Sequence, residues 1–131
     1  KGVDFAAPIG TPVYAGGNGI IEMVGVNGGY GKYIRIRHNN EYKTAYAHLS
    51  SYKSGISKGV RVNQGDVIGY VGSTGRSTGP HLHYEIIYQN KAINPLTLKL
   101  PSGKILKGDE LARFEKNYKM ILANHLNNLF E

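Results

Sequence analysis

The 131-residue chain contains no cysteine. That excludes a disulfide framework, a thiolate metal site and a cysteine nucleophile, so any metal here must be held by histidine and carboxylate ligands. Long apolar runs are also missing: no stretch approaches the roughly 18 residues of a membrane span, and no signal-peptide pattern precedes the first strand-like segment. Acidic residues are scarce, nine against sixteen lysines and arginines, which gives a net charge of +7. Such a surplus attracts anionic partners, among them nucleic acid, a membrane surface or an acidic wall polymer. The basic residues are scattered rather than clustered, and nucleic acid is not an expected partner. Hydrophobic residues at 40% and charged residues at 19% match a folded domain large enough to bury its own core.

From Lys1 to about Leu100 the pattern is short alternating runs separated by glycine-rich turns. Strands are predicted over 19–26, 32–38, 41–49, 59–62, 66–72 and 81–88, with a short one at Lys-Ala-Ile-Asn-Pro (91–95). Asn39-Asn40 makes the second and third of these a hairpin. The expected fold is mainly β, an antiparallel sandwich or barrel-like core. Beyond Pro95 the composition changes, and Leu111, Phe114, Tyr118, Ile121, Leu122, Leu126 and Leu129 recur at helical spacing. The chain is therefore read as a core over 1–98 and a turn with a C-terminal amphipathic α-helix over 99–131, packing on the core or on another part of a longer protein.

The chemistry-bearing residues are few. His81 and His83 are two apart, which places both side chains on one face of a strand. Alone, this fits two solvent-facing histidines on an edge strand as well as one shared site. The preceding Gly-Ser-Thr-Gly-Arg-Ser-Thr-Gly-Pro loop allows backbone to approach a ligand closely. His48 is expected to end its strand, where functional groups on rigid scaffolds often sit; a turn histidine is the alternative. Asp4 lies between Val3 and Phe5, and a carboxylate there needs a cation, a metal or hydrogen-bond donors. His38 is expected to face its turn, and His125 to lie on or beside the helical stripe. One aspartate and three histidines at strand ends can support a mononuclear zinc site with an open water position.

The segments "GVDFAAPIGTPVYA", "YAHLS" and "VIGYVGSTGRSTGPHLHYE" resemble the lysostaphin and LytM-like zinc metallopeptidases, which hydrolyse peptide bonds in bacterial cell-wall peptidoglycan. The resemblance runs from the first residue to about Pro95. It implies one zinc per chain with Asp4 and His83 as ligands. It makes His48 and His81 the pair that handles the attacking water and the oxyanion, and peptidoglycan stem peptides the substrate. The first histidine of the family pattern falls just ahead of Lys1, so the chain is expected to be part of a longer protein with N-terminal domains. A D,D-endopeptidase of the periplasm or cell envelope is the expected activity, with a non-catalytic wall-binding or regulatory module as the alternative. Arg76, in the loop before His81, is a candidate contact for a substrate carboxylate.

Overall fold

The structure, a computed structural model, describes residues 2–93. The helix expected within 99–131 lies outside the described residues. Among the described residues nine strands follow in chain order: β1 (Val3–Ala6), β2 (Pro12–Tyr14), β3 (Gly19–Val26), β4 (Lys32–Arg37), β5 (Tyr42–Tyr52), β6 (Arg61–Val62), β7 (Val67–Val71), β8 (His81–Tyr88) and β9 (Lys91–Ile93). All pairings are antiparallel, and the main order is β1-β8-β5-β4-β3-β6. The predicted β architecture is therefore found, including the β4–β5 hairpin. Asn39 closes that hairpin by accepting the Glu41 and Tyr42 amides on its side-chain oxygen, both at 2.8 Å. No helix among the described residues is long and apolar enough to cross a membrane.

β5 organises the rest because it changes partner part-way along. Tyr42–Ala47 pairs with β8, whereas Leu49–Tyr52 pairs with β7, which also carries β2. The sheet thus folds back over one apolar core containing Ile21, Ile34, Ile36, Tyr46, Leu49, Ile68, Leu82, Tyr84 and Ile86, all essentially inaccessible. The other face of β4, β5 and β8 carries a smaller cluster of Tyr33, Ala45 and Ala47, with Met23, Tyr30 and Ile87 against it.

Alternation on β8 fixes which face the histidines take. Leu82, Tyr84 and Ile86 enter the main core, and each such side chain contributes about 1.5–3 kcal/mol by burial. A one-residue slip would forfeit all three at once. His81, His83 and Glu85 are consequently held together on the opposite face.

Candidate active site

β1 lies along the first half of β8 with Asp4 opposite His83 and Ala6 opposite His81. Cross-strand neighbours have side chains within reach of one another, and the Asp4 carboxylate uses that reach. Its Oδ1 is 2.7 Å from His83 Nδ1 and 3.6 Å from His81 Nε2. The Asp4 side chain is 63% exposed and His83 only 19%, so the carboxylate stands at the mouth of the site and the imidazole in its wall.

His83 is fixed from behind. Its Nε2–H donates to Glu85 Oε2 at 2.9 Å, and the Tyr30 hydroxyl donates to the same oxygen at 3.0 Å. Burial pushes the Glu85 carboxyl up, but the hydrogen bonds from His83 and Tyr30 outweigh it and hold the group below its ordinary value. For His83, the Glu85 bond raises the pKa, burial opposes it, and Asp4 adds to the rise. Neither Glu85 nor Tyr30 was singled out from sequence. Glu85 carried a usable signal, since it follows His83 by two residues on the same face; Tyr30 reaches the site from a 3₁₀ turn, Gly28–Tyr30, and had none.

His48 departs from expectation in an informative way. It does not end its strand, because β5 continues to Tyr52. Instead it is the extra residue of a β-bulge: Ile34 and Lys32 of β4, two apart, face Tyr46 and Leu49 of β5, three apart. Its φ of +61° lies in the left-handed region, which costs a non-glycine residue about 1–2 kcal/mol. Strain of this kind persists where the surrounding structure over-determines it. The kink falls where β5 leaves β8 for β7, and it brings the His48 ring to 4.8 Å from the His81 ring and 6.0 Å from that of His83, centroid to centroid.

Both flanking imidazoles are tied at one nitrogen. His48 Nδ1–H donates to the Thr74 carbonyl at 2.7 Å, and His81 Nδ1–H donates to the Gly79 carbonyl at 2.8 Å. These bonds select the tautomer in which Nε2 carries the lone pair. Ser77 Oγ supports the second arrangement, donating to the Gly79 carbonyl at 2.7 Å and lying 3.1 Å from His81 Nδ1. Gly29, Tyr30, His48, Arg76 and His83 line a cleft of about 280 Å³. Arg76 is exposed, and its alkyl stem runs over Gly29. Among the described residues Arg76 has no acidic partner within ion-pair distance. All five predicted site residues, Asp4, His48, Arg76, His81 and His83, thus converge on one region. His38 does not: its ring turns inward from the hairpin, to the Asn18 carbonyl and the Thr44 hydroxyl.

The contacts of His83 bear on metal binding. A neutral imidazole has one N–H, yet His83 meets a carboxylate oxygen at each nitrogen. With Nε2–H committed to buried Glu85, Nδ1 and Asp4 Oδ1 face each other as two lone-pair donors, a contact that requires a shared proton or a shared cation. A carboxylate behind a ligating histidine is the usual support of a zinc site. The pair fits zinc as two ligands; among the described residues no group of three or more His, Asp or Glu side chains is arranged as a complete cage.

The profile of peptidase family M23 matches residues 1–95. The chain belongs to this family. It is 48% identical over 111 residues to the DD-carboxypeptidase/endopeptidase Mpg of Neisseria meningitidis serogroup B, a match covering 85% of the chain and 25% of that protein. It is 44% identical over 119 residues to the peptidoglycan DD-endopeptidase ShyC of Vibrio cholerae, covering 91% of the chain and 27% of that protein. The crystal structure of a zinc-containing peptidase from Vibrio cholerae superposes with a TM-score of 0.67 at 44% identity, over 70% of this chain and 28% of that one. The M23 chain therefore spans about a quarter of the length of these relatives.

Proposed function

We propose that this M23 chain is the catalytic core of a zinc-dependent endopeptidase that hydrolyses peptide cross-links of bacterial peptidoglycan. The observation that carries the reading is the Asp4–His83 pair, backed by Glu85 and flanked by two imidazoles with Nε2 free of its own proton. Asp4 and His83 would hold the zinc, which supplies Lewis acidity to the scissile carbonyl and the attacking water.

The remaining work belongs to the protein. His81 Nε2 takes a proton from the water, or returns one to the departing amine, and His48 Nε2 faces the same space from the other side. Neutral imidazoles suit this exchange because their ordinary pKa lies near working pH. Glu85 keeps the His83 proton on Nε2 and so leaves Nδ1 available as a ligand. Arg76, without an acidic partner of its own among the described residues, would meet a stem-peptide carboxylate along the cleft.

The names of the Neisseria and Vibrio relatives support a D,D-endopeptidase. The substrate requires an extracytoplasmic location, in the periplasm or cell envelope, and the length of the relatives supports further domains in the full protein. To test the reading, a purified cross-linked muropeptide dimer is incubated with the full-length protein before and after chelation, and the products are weighed by mass spectrometry. Conversion to monomers that stops on chelation and returns with zinc is expected. Binding of the dimer with no new amino terminus, zinc present, would instead identify a non-catalytic wall-binding module.

A further inference from the structure

The bulge that displays His48 is braced from outside the sheet. Between Ile34–Tyr46 and Lys32–Leu49, β5 has one residue more than β4, and at its edge the amide of Lys32 and the carbonyl of Leu49 meet one side chain from a distant loop. The Thr74 hydroxyl accepts the Lys32 amide at 3.0 Å and donates to the Leu49 carbonyl at 2.6 Å. It thereby uses both a lone pair and its single proton on two backbone groups at the edge of the bulge. The carbonyl of the same residue accepts His48 Nδ1–H.

The loop is brought there by backbone packed on backbone. A Cβ on Gly75 would lie 2.4 Å from both the Gly29 carbonyl oxygen and the Gly31 nitrogen, and one on Gly31 would lie 2.4 Å from the Thr74 carbonyl carbon. The Arg76 amide adds a 2.7 Å bond to the Gly29 carbonyl. Pairing of Gly72 with His81 closes the loop at its base. These contacts deliver Thr74 to the bulge and pack its peptide unit on Gly31. The hydroxyl, held between Lys32 and Leu49, fixes the same residue from its side-chain end.

We propose that Thr74 is a positioning residue for His48: its hydroxyl bridges the Lys32 amide and the Leu49 carbonyl at the edge of the bulge and so holds its own carbonyl against His48 Nδ1, keeping Nε2 unprotonated toward the cleft. The structural claim stands on these contacts; only its kinetic consequence rests on the proposed peptidase function. Valine at position 74 keeps the shape and the carbonyl but loses both hydroxyl bonds, whereas serine keeps them.

The test reads the His48 tautomer from ring nitrogen chemical shifts in the zinc-loaded protein, together with hydrolysis of a muropeptide dimer. In the unaltered protein Nδ1 is expected to carry the proton. Thr74→Val is expected to mix the two tautomers and to lower kcat by roughly 10- to 100-fold, no more than the lower bound of what a positioned acid–base group supplies, with KM and zinc content unchanged. Thr74→Ser is expected to restore both the tautomer and kcat. A purely packing role would lower thermal stability without moving the tautomer. The proposal is overturned if His48 in the unaltered protein carries its proton on Nε2, a measurement that needs no variant, or if Thr74→Val keeps the original tautomer and kcat. A tautomer shift in Thr74→Val alongside an unaltered protein that cleaves nothing would uphold the positioning role and remove the peptidase reading.

Discussion

His38, just past the end of β4, and the three site histidines on β5 and β8 lie close along one sheet, yet their rings are used in opposite ways. At His38 every polar group is consumed internally. Nδ1–H donates to the Asn18 carbonyl at 2.8 Å and Nε2 accepts the Thr44 hydroxyl at 2.7 Å; Thr44 accepts the Tyr46 hydroxyl at 2.7 Å, and Tyr46 accepts the Gly16 amide at 2.9 Å. At the site His48 and His81 each spend one nitrogen on a backbone carbonyl, of Thr74 and Gly79, and present the other, whereas His83 bonds buried Glu85 through Nε2 and faces the exposed Asp4 carboxylate with Nδ1. A histidine closed at both nitrogens by the hairpin and its neighbouring strand is structural; one that keeps a nitrogen open, or turned to an exposed carboxylate, is available for chemistry.

The contrast can be broken most severely in the cleft. His81→Ala and His48→Ala are each expected to lower kcat on a muropeptide dimer by about 10²- to 10⁴-fold, with zinc retained by elemental analysis. Loss of zinc along with activity would make either residue a ligand instead of a proton carrier.

The next largest effect lies on the closed side. Burial pushes His38 down to about 4, against the opposing pull of the Asn18 carbonyl. Between the unfolded value of about 6.5 and that folded value, the unfolded chain binds the proton and the folded one does not. Stability is therefore intact above about pH 6.5 and declines as pH falls toward about 4, by up to roughly 3 kcal/mol. Urea unfolding of the protein and of His38→Ala across this window measures it, and the variant is expected to show the shallower slope. Equal slopes would place His38 outside the buried network.

Glu85→Gln sharpens the comparison at the third ring. An amide cannot anchor the Nε2–H of His83 with a charge, and zinc affinity is expected to fall about 10- to 100-fold, as read by competition with a chelator of known affinity. The smallest effect belongs to Arg76, whose guanidinium is solvated. Arg76→Ala is expected to raise KM for a carboxylate-bearing dimer by about fivefold or less and to leave kcat in place; an equal change on a substrate lacking that carboxylate would remove the contact.

Much of this was legible in the sequence, for local reasons. Alternation gave the strands at 19–26 and 81–88 with the bounds the structure shows, and the i, i+2 spacing put His81 and His83 on one face. The bulge at His48 was not legible, because it arises from three strands pairing with β5 in two registers. Alternation ran through it unchanged, so β5 was expected to stop at Leu49. Tyr30 and Thr74 were missed for a related reason. Both come from loops whose positions depend on Gly31 and Gly75 meeting across a long stretch of intervening chain, and no local pattern records that approach.

The most direct measurement follows zinc and peptide bonds in the same samples. Purified sacculi are incubated with the zinc-loaded full-length protein and with its His81→Ala variant, and bound metal and newly released amino termini are counted. The unaltered protein should hold about one zinc per chain and convert cross-linked dimers to monomers, while the variant holds the same zinc and releases none. Equal release by both proteins, or zinc-loaded unaltered protein that binds sacculi and frees no termini, would contradict a peptidase built on Asp4, His83 and the two flanking imidazoles.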